Sequence, residues 1–164
     1  MEPRASRGVR WTVPLPEFRV SDTPFRYHHP VEVRFKDIDI GGHAHHSHAL
    51  VYVEEARAAY WSEVTGQNGL DGVDYILADA KLRYHARVLW PQTLDVGVRV
   101  SRLGKRHFVM EYEVRSAGGE LLVSCETTQV MYDYEAGAAK TMPPEIREAI
   151  DALDGPFGPG GKPA

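Results

Sequence analysis

A chain of 164 residues with 43% apolar and 26% charged side chains has the size and make-up of one soluble globular domain with a real core. A formal charge of −4 and a pI near 6.0 argue against a nucleic-acid binder driven by bulk charge, and the single cysteine, Cys125, excludes an intrachain disulfide and fits a reducing compartment. No apolar run approaches the ~18 residues of a membrane span, and the N-terminus has arginines but no apolar leader core, so a cytoplasmic location is expected.

Residues 1–29 mix Arg, Pro and Ser with scattered apolar side chains and read as an extended N-terminal arm lying on the domain. Residues 31–36 alternate apolar and polar and predict the first strand. Two acids, two glycines and a histidine then fall within seven positions, Asp37-Ile38-Asp39-Ile40-Gly41-Gly42-His43. Ala49, Val53, Ala56, Tyr60 and Val64 follow at helical spacing, which predicts a helix over 47–65 with Ser47 as N-cap and Gly66 as its stop. Leu50-Val51-Tyr52-Val53 make this helix apolar on more than one face, as for a buried central helix, and Glu54 and Arg57 stand three apart, close enough to pair.

The rest of the chain reads as strands. Residues 75–88 form one bent strand or two, 94–101 alternate with period two, and 107–115 place Phe108, Met110, Tyr112 and Val114 on one face. Ser116-Ala117-Gly118-Gly119 is a hairpin turn, 121–133 a last strand, and Pro143-Pro144 opens a short helix. Residues 151–164 read as a disordered tail. One strand, one buried helix and then several antiparallel strands are satisfied by a sheet wrapped around a single helix, an α+β fold.

An acid–glycine loop between a strand and a helix N-terminus is a plausible reactive corner. Loop backbone can approach a ligand there, and helix N–H groups can bind developing negative charge. The run Arg34-Phe35-Lys36-Asp37-Ile38-Asp39-Ile40-Gly41-Gly42-His43, followed by Tyr52-Val53-Glu54-Glu55-Ala56-Arg57, resembles the signature of the hotdog-fold acyl-CoA thioesterases. The branch is the 4-hydroxybenzoyl-CoA thioesterase-like one, with its YbgC and FadM types. The resemblance continues through Tyr84, Trp90-Pro91, Leu94, Arg102-Leu103-Gly104 and Met142-Pro143-Pro144-Glu145, so that residues 30–150 form the hotdog domain.

The resemblance implies an antiparallel sheet around one long central helix, with catalysis by Asp39, an oxyanion contact from the backbone N–H at His46, and Gly42 as the glycine that lets the thioester pass close to the backbone. It also implies a homodimer or homotetramer with the pocket between subunits. Three departures blur the choice of acyl group: His45-His46 where FadM-type relatives have Asn-Asn, Arg87 where a proline is expected, and Pro91 in place of a glycine.

Thioester hydrolysis needs a positioned water or carboxylate nucleophile and support for the carbonyl oxyanion. An aspartate in water titrates around 3.9 and is a feeble base at neutral pH, so general-base work by one rests on geometry or surroundings. The alternative for Asp39 is a turn acid, and Asp37 reads as structural. Four histidines, His43, His45, His46 and His48, invite a metal, but they cannot all converge from a loop-to-helix junction, so no metal and no cofactor are expected. His43 is read as lining the pocket, while Arg87, Lys105 and Arg106 are candidates for the phosphates of coenzyme A. Tyr60, Trp61, Tyr84 and Trp90 are core or acyl-pocket residues. The expected activity is hydrolysis of an acyl-CoA to free acid and CoA, with no nucleic-acid or membrane partner. The rivals are an acyl-ACP thioesterase, a hotdog protein that binds acyl-CoA without turnover, and, more remotely, a hotdog hydratase.

Overall fold

A computed structural model describes residues 18, 20, 22–67 and 72–162. In chain order the elements are β1 (Tyr27–Glu32), α1 (His48–Thr65), β2 (Tyr75–Tyr84), β3 (Thr93–Leu103), β4 (His107–Arg115), β5 (Leu121–Asp133), β6 (Ala138–Ala139) and α2 (Pro144–Asp154). The sheet runs β1-β3-β4-β5-β2 with every pair antiparallel, and β6 pairs with β5. This is the expected α+β hotdog arrangement, a sheet curled about α1. Neither described helix is long and apolar enough to cross a membrane.

The period-two pattern becomes a buried row: Leu94, Val96, Val98 and Val100 on β3 and Phe108, Met110, Tyr112 and Val114 on β4 are all essentially inaccessible. α1 lays Tyr52, Val53, Ala56, Tyr60 and Trp61 against this surface. The Trp61 ring stacks on Phe108 at 5.2 Å, nearly parallel, and its indole N–H donates to the Gly72 carbonyl. Burying such a side chain contributes about 1.5–3 kcal/mol, so this contact anchors the C-terminal half of the helix. Gly66, in the left-handed conformation with φ +67°, ends α1 as expected. Glu54 and Arg57 do pair, at 3.9 Å. The other apolar face is less covered: Leu50 and Val51 are 36% and 46% exposed.

Several expectations are corrected. The first strand covers Tyr27–Glu32 rather than 31–36, so the last residues assigned to the arm belong to the sheet. Pro30 is tolerated because β1 is an edge strand, where a missing donor costs no ladder bond. The strand stops because Asp37 captures the chain. Its Oδ2 accepts the Arg34 N–H at 2.9 Å while its own N–H donates to the Arg34 carbonyl, folding Phe35–Asp37 into a 3₁₀ turn.

Ser47 is not a side-chain cap. It already has helical torsions, and the Ser47 N–H donates to His45 Nδ1. Helix runs past residue 150, into the stretch read as a tail. α2 continues to Asp154, whose Oδ2 accepts the Tyr60 hydroxyl at 2.6 Å and the Val100 N–H at 2.8 Å. Beyond it the Leu103 N–H donates to the Gly161 carbonyl, an approach so close that a Cβ on Gly161 would collide with the Leu103 carbonyl.

Candidate active site

The loop between β1 and α1 is a miniature hairpin. Ile38 and Ala44 form an antiparallel bridge, the Asp39 N–H donates to the His43 carbonyl, and the Gly42 N–H returns to the Asp39 carbonyl, both at 3.0 Å. Gly42 has φ +75°, which a residue with a side chain adopts at a cost. It is exposed, and a Cβ there would meet nothing, so its requirement is conformational. The crowded glycine is Gly41. Its N–H donates to Asp39 Oδ1 at 2.7 Å, and a Cβ on it would stand 2.9 Å from Asp39 Oδ1 and 2.9 Å from His43 Nε2. His43 Nδ1 lies 3.1 Å from the Ala44 carbonyl, which can only accept, so the neutral ring carries its proton on Nδ1 and leaves Nε2 free to accept.

The two acids have separate duties. Asp37 is buried. Beyond the Arg34 N–H it takes the Tyr52 hydroxyl on Oδ2 at 2.9 Å, has His48 Nδ1 3.4 Å from Oδ1, and offers its backbone carbonyl to the His45 N–H. Burial first, and then this bond to Asp37, raises the Tyr52 pKa and keeps its hydroxyl a donor. Asp37 therefore joins loop and helix, as its structural reading anticipates. Asp39 is only partly buried and lines a cavity of about 330 Å³ between the loop, the start of α1 and the exit of β2. Ala44, Ala49, Ala86, Val88 and Val123 form its apolar wall.

The backbone at the helix start shows one conspicuous gap. From Ala44 to Leu50, each N–H but one has an acceptor: Ala44 on Val88, His45 on Asp37, Ser47 on His45 Nδ1, His48 on the His45 carbonyl, Ala49 on His46 and Leu50 on Ser47. Among the described residues the His46 N–H has none. His46 lines the same cavity as Asp39.

Asp39, His43, His46 and Arg87 thus converge on one cavity. Lys105 and Arg106 do not. They sit in the turn between β3 and β4, by Met131, whose N–H donates to the Arg106 carbonyl. The cavity lies by Val123, eight residues back along β5, roughly 26 Å at ~3.3 Å per residue. Trp90 is half exposed and meets Phe35 edge-to-face at 5.4 Å, so it belongs neither to the core nor to the pocket lining. Among the described residues, no three His, Cys, Asp or Glu side chains are placed to hold a metal ion. Gly41 and Tyr84, whose hydroxyl donates to the His46 carbonyl at 2.9 Å, are the site residues that sequence reasoning did not single out for these roles. The adjacent glycines were a partial signal for the first.

A helix cradled by an antiparallel sheet is the hotdog arrangement, and the comparisons place the chain among proteins of that fold. A model of the thioesterase-like superfamily matches residues 33–150, and the chain belongs to that family. It is a thioester hydrolase. A thioesterase from Thermus thermophilus, solved with coenzyme A and Zn, is 29% identical, with a TM-score of 0.70 over 79% of this chain and 95% of that one. The PA5185 protein of Pseudomonas aeruginosa strain PAO1 is 25% identical, with a TM-score of 0.71 over 79% of this chain and 92% of that one. The uncharacterized protein YsmA of Bacillus subtilis is 23% identical over 133 residues, 81% of this chain and 90% of YsmA.

Proposed function

We propose that the protein hydrolyses an acyl-CoA to the free acid and CoA, with Asp39 as general base or nucleophile and the backbone N–H of His46 as oxyanion donor. The observation that carries this reading is the unpaired N–H of His46, a residue that lines the same cavity as Asp39. In the general-base route, water attacks the carbonyl carbon and gives its proton to Asp39. The carbonyl oxygen becomes an oxyanion bound by the His46 N–H. The C–S bond then breaks, and the leaving thiolate takes up the proton. In the nucleophilic route the carboxylate attacks first and expels the CoA thiolate as the C–S bond breaks; water then hydrolyses the resulting anhydride, restoring the carboxylate and supplying the proton the thiolate takes up.

His43 and Arg87 both line the cavity, and in this reading His43 meets the acyl group while the exposed Arg87 meets a phosphate, which suits a guanidinium. The active unit is a homodimer or an assembly of dimers. β2 is an edge strand with Ile76 and Leu77 each 43% exposed, and a bare apolar edge of this kind calls for a partner. Two-fold antiparallel pairing of β2 edges sets the Tyr75 end of one copy, which carries Lys105 and Arg106, beside the Tyr84 end and cavity of the other. By this arrangement those two residues serve the partner's substrate.

The test follows free thiol release with a thiol-reactive dye over benzoyl-, phenylacetyl-, short- and long-chain acyl-CoAs and an acyl-carrier-protein thioester, for wild type and Asp39→Asn. The protein's own thiol stays silent: Cys125 is fully buried and burial pushes its pKa up to about 12. Turnover that collapses in Asp39→Asn while the fold persists is the expected result. Turnover that persists removes Asp39 from the chemistry. Tight acyl-CoA binding without turnover in the wild type replaces the hydrolase by a binding protein.

A further inference from the structure

We infer that Tyr84 is a positioning residue for this reaction: its hydroxyl holds the start of α1 so that the His46 N–H stays aimed into the cavity beside Asp39. The inference rests on the hydrolase reading above. Tyr84 is the last residue of β2 and pairs with Val123 on β5, so the sheet carries its backbone, whereas His46 lies on the segment leading into α1. The Tyr84 ring lines the cavity and its hydroxyl donates to the His46 carbonyl across 2.9 Å, tying helix start to sheet.

The other bonds around His46 fix the peptide plane before its Cα more firmly than the plane after it. The His45 N–H is held by the Asp37 carbonyl at 2.9 Å. The His45 carbonyl, in the same peptide plane as the His46 N–H, accepts from His48 at 2.9 Å. On the far side of the His46 Cα, the helix supplies only a longer bond from the Ala49 N–H, at 3.3 Å. The shorter Tyr84 bond therefore governs that side and restrains rotation of the whole residue. Burial raises the Tyr84 pKa, with the Cys125 thiol a smaller contributor, so the phenol remains a donor.

An oxyanion donor that drifts from its place loses its value chiefly in the transition state, where the charge is concentrated, and much less in the ground state. Removing the Tyr84 hydroxyl should therefore separate turnover from binding. A tyrosine that merely packs the cavity wall would move both together.

Tyr84→Phe keeps the ring and removes only the hydroxyl. On the full chain, with the acyl-CoA that the wild type turns over fastest, kcat should fall about tenfold to a hundredfold. The Kd of a non-hydrolysable thioether analogue of that substrate should stay within about twofold. A kcat within about threefold of wild type, or analogue binding weakened in step with kcat, overturns the inference. Asp39→Asn, run alongside, separates it from the reading beneath. An inactive Asp39→Asn beside an unimpaired Tyr84→Phe defeats the positioning role alone. A wild type silent on every thioester defeats both. An active Asp39→Asn beside an impaired Tyr84→Phe upholds the positioning role and removes Asp39 from the chemistry.

Discussion

The Gly41 N–H donates to Asp39 Oδ1 across 2.7 Å, and the side chain Gly41 lacks is what leaves room for His43 beside that carboxylate. A Cβ at 2.9 Å from both Asp39 Oδ1 and His43 Nε2 is closer than real Cβ atoms come, so one side chain or both must swing away. Gly42 is constrained differently, by its φ of +75° in open space. Gly41→Ala should therefore lower kcat by about tenfold or more through misplacement of the carboxylate. Gly42→Ala should instead cost about 1–2 kcal/mol of stability. Steady-state kinetics and chemical denaturation of the two variants, side by side, make the comparison. Full activity in Gly41→Ala would mean that Asp39 needs no such exact placement.

The same division separates the two acids. Asp37 is 4% exposed and holds the Arg34 N–H and the Tyr52 hydroxyl on one oxygen. Removing it strands both donors beneath the loop, and hydrogen bonds to a charged group are worth about 1.5–3 kcal/mol each. Asp37→Ala should thus lower unfolding stability by about 3 kcal/mol or more, whereas Asp39→Asn should leave the denaturation midpoint near that of the wild type. Equal stability losses in the two variants would contradict the assignment of separate roles.

How legible these features are in the sequence depends on how local their causes are. The β3 and β4 rows can be read directly, because period-two burial at Val96, Val98 and Val100 is a property of consecutive residues. So can the end of α1, where Gly66 adopts a conformation other residues avoid. The start of β1 cannot: Pro30 argues against a strand unless the strand lies at an edge, and strand order is set by distant pairing. Asp39, His43 and His46 are read together because they are neighbours along one hairpin and helix start. Lys105 and Arg106 stand apart from this chain's own cavity for the converse reason, since only the length of the sheet puts them at its other end. The Tyr84–His46 bond spans 38 residues, and no local pattern announces it. The choice between Gly41 and Gly42 turns on which way one turn faces, which adjacency alone leaves open.

Asp154 offers a test of the C-terminal docking through pH. Its Oδ2 receives the Tyr60 hydroxyl from α1 and the Val100 N–H from β3, fastening α2 to both layers. Burial raises the Asp154 pKa above the ordinary 3.8, outweighing the opposing bonds from Tyr60 and Val100 and the nearby positive charges of Arg99 and Arg26. The folded state accordingly holds this proton more tightly than the unfolded chain does. The stability gained from that tighter hold is fully present below the unfolded pKa and is lost as pH rises through the raised folded value. Asp154→Asn has no proton to lose and keeps an oxygen able to accept both bonds. Across that window the stability difference, variant minus wild type, should therefore shift in the variant's favour. Urea denaturation of both proteins at several pH values from about 4 to about 7 measures it. A difference that stays constant, or that moves toward the wild type, would mean that the carboxyl is ionised at no cost in the fold and that its bonds to Tyr60 and Val100 outweigh its burial.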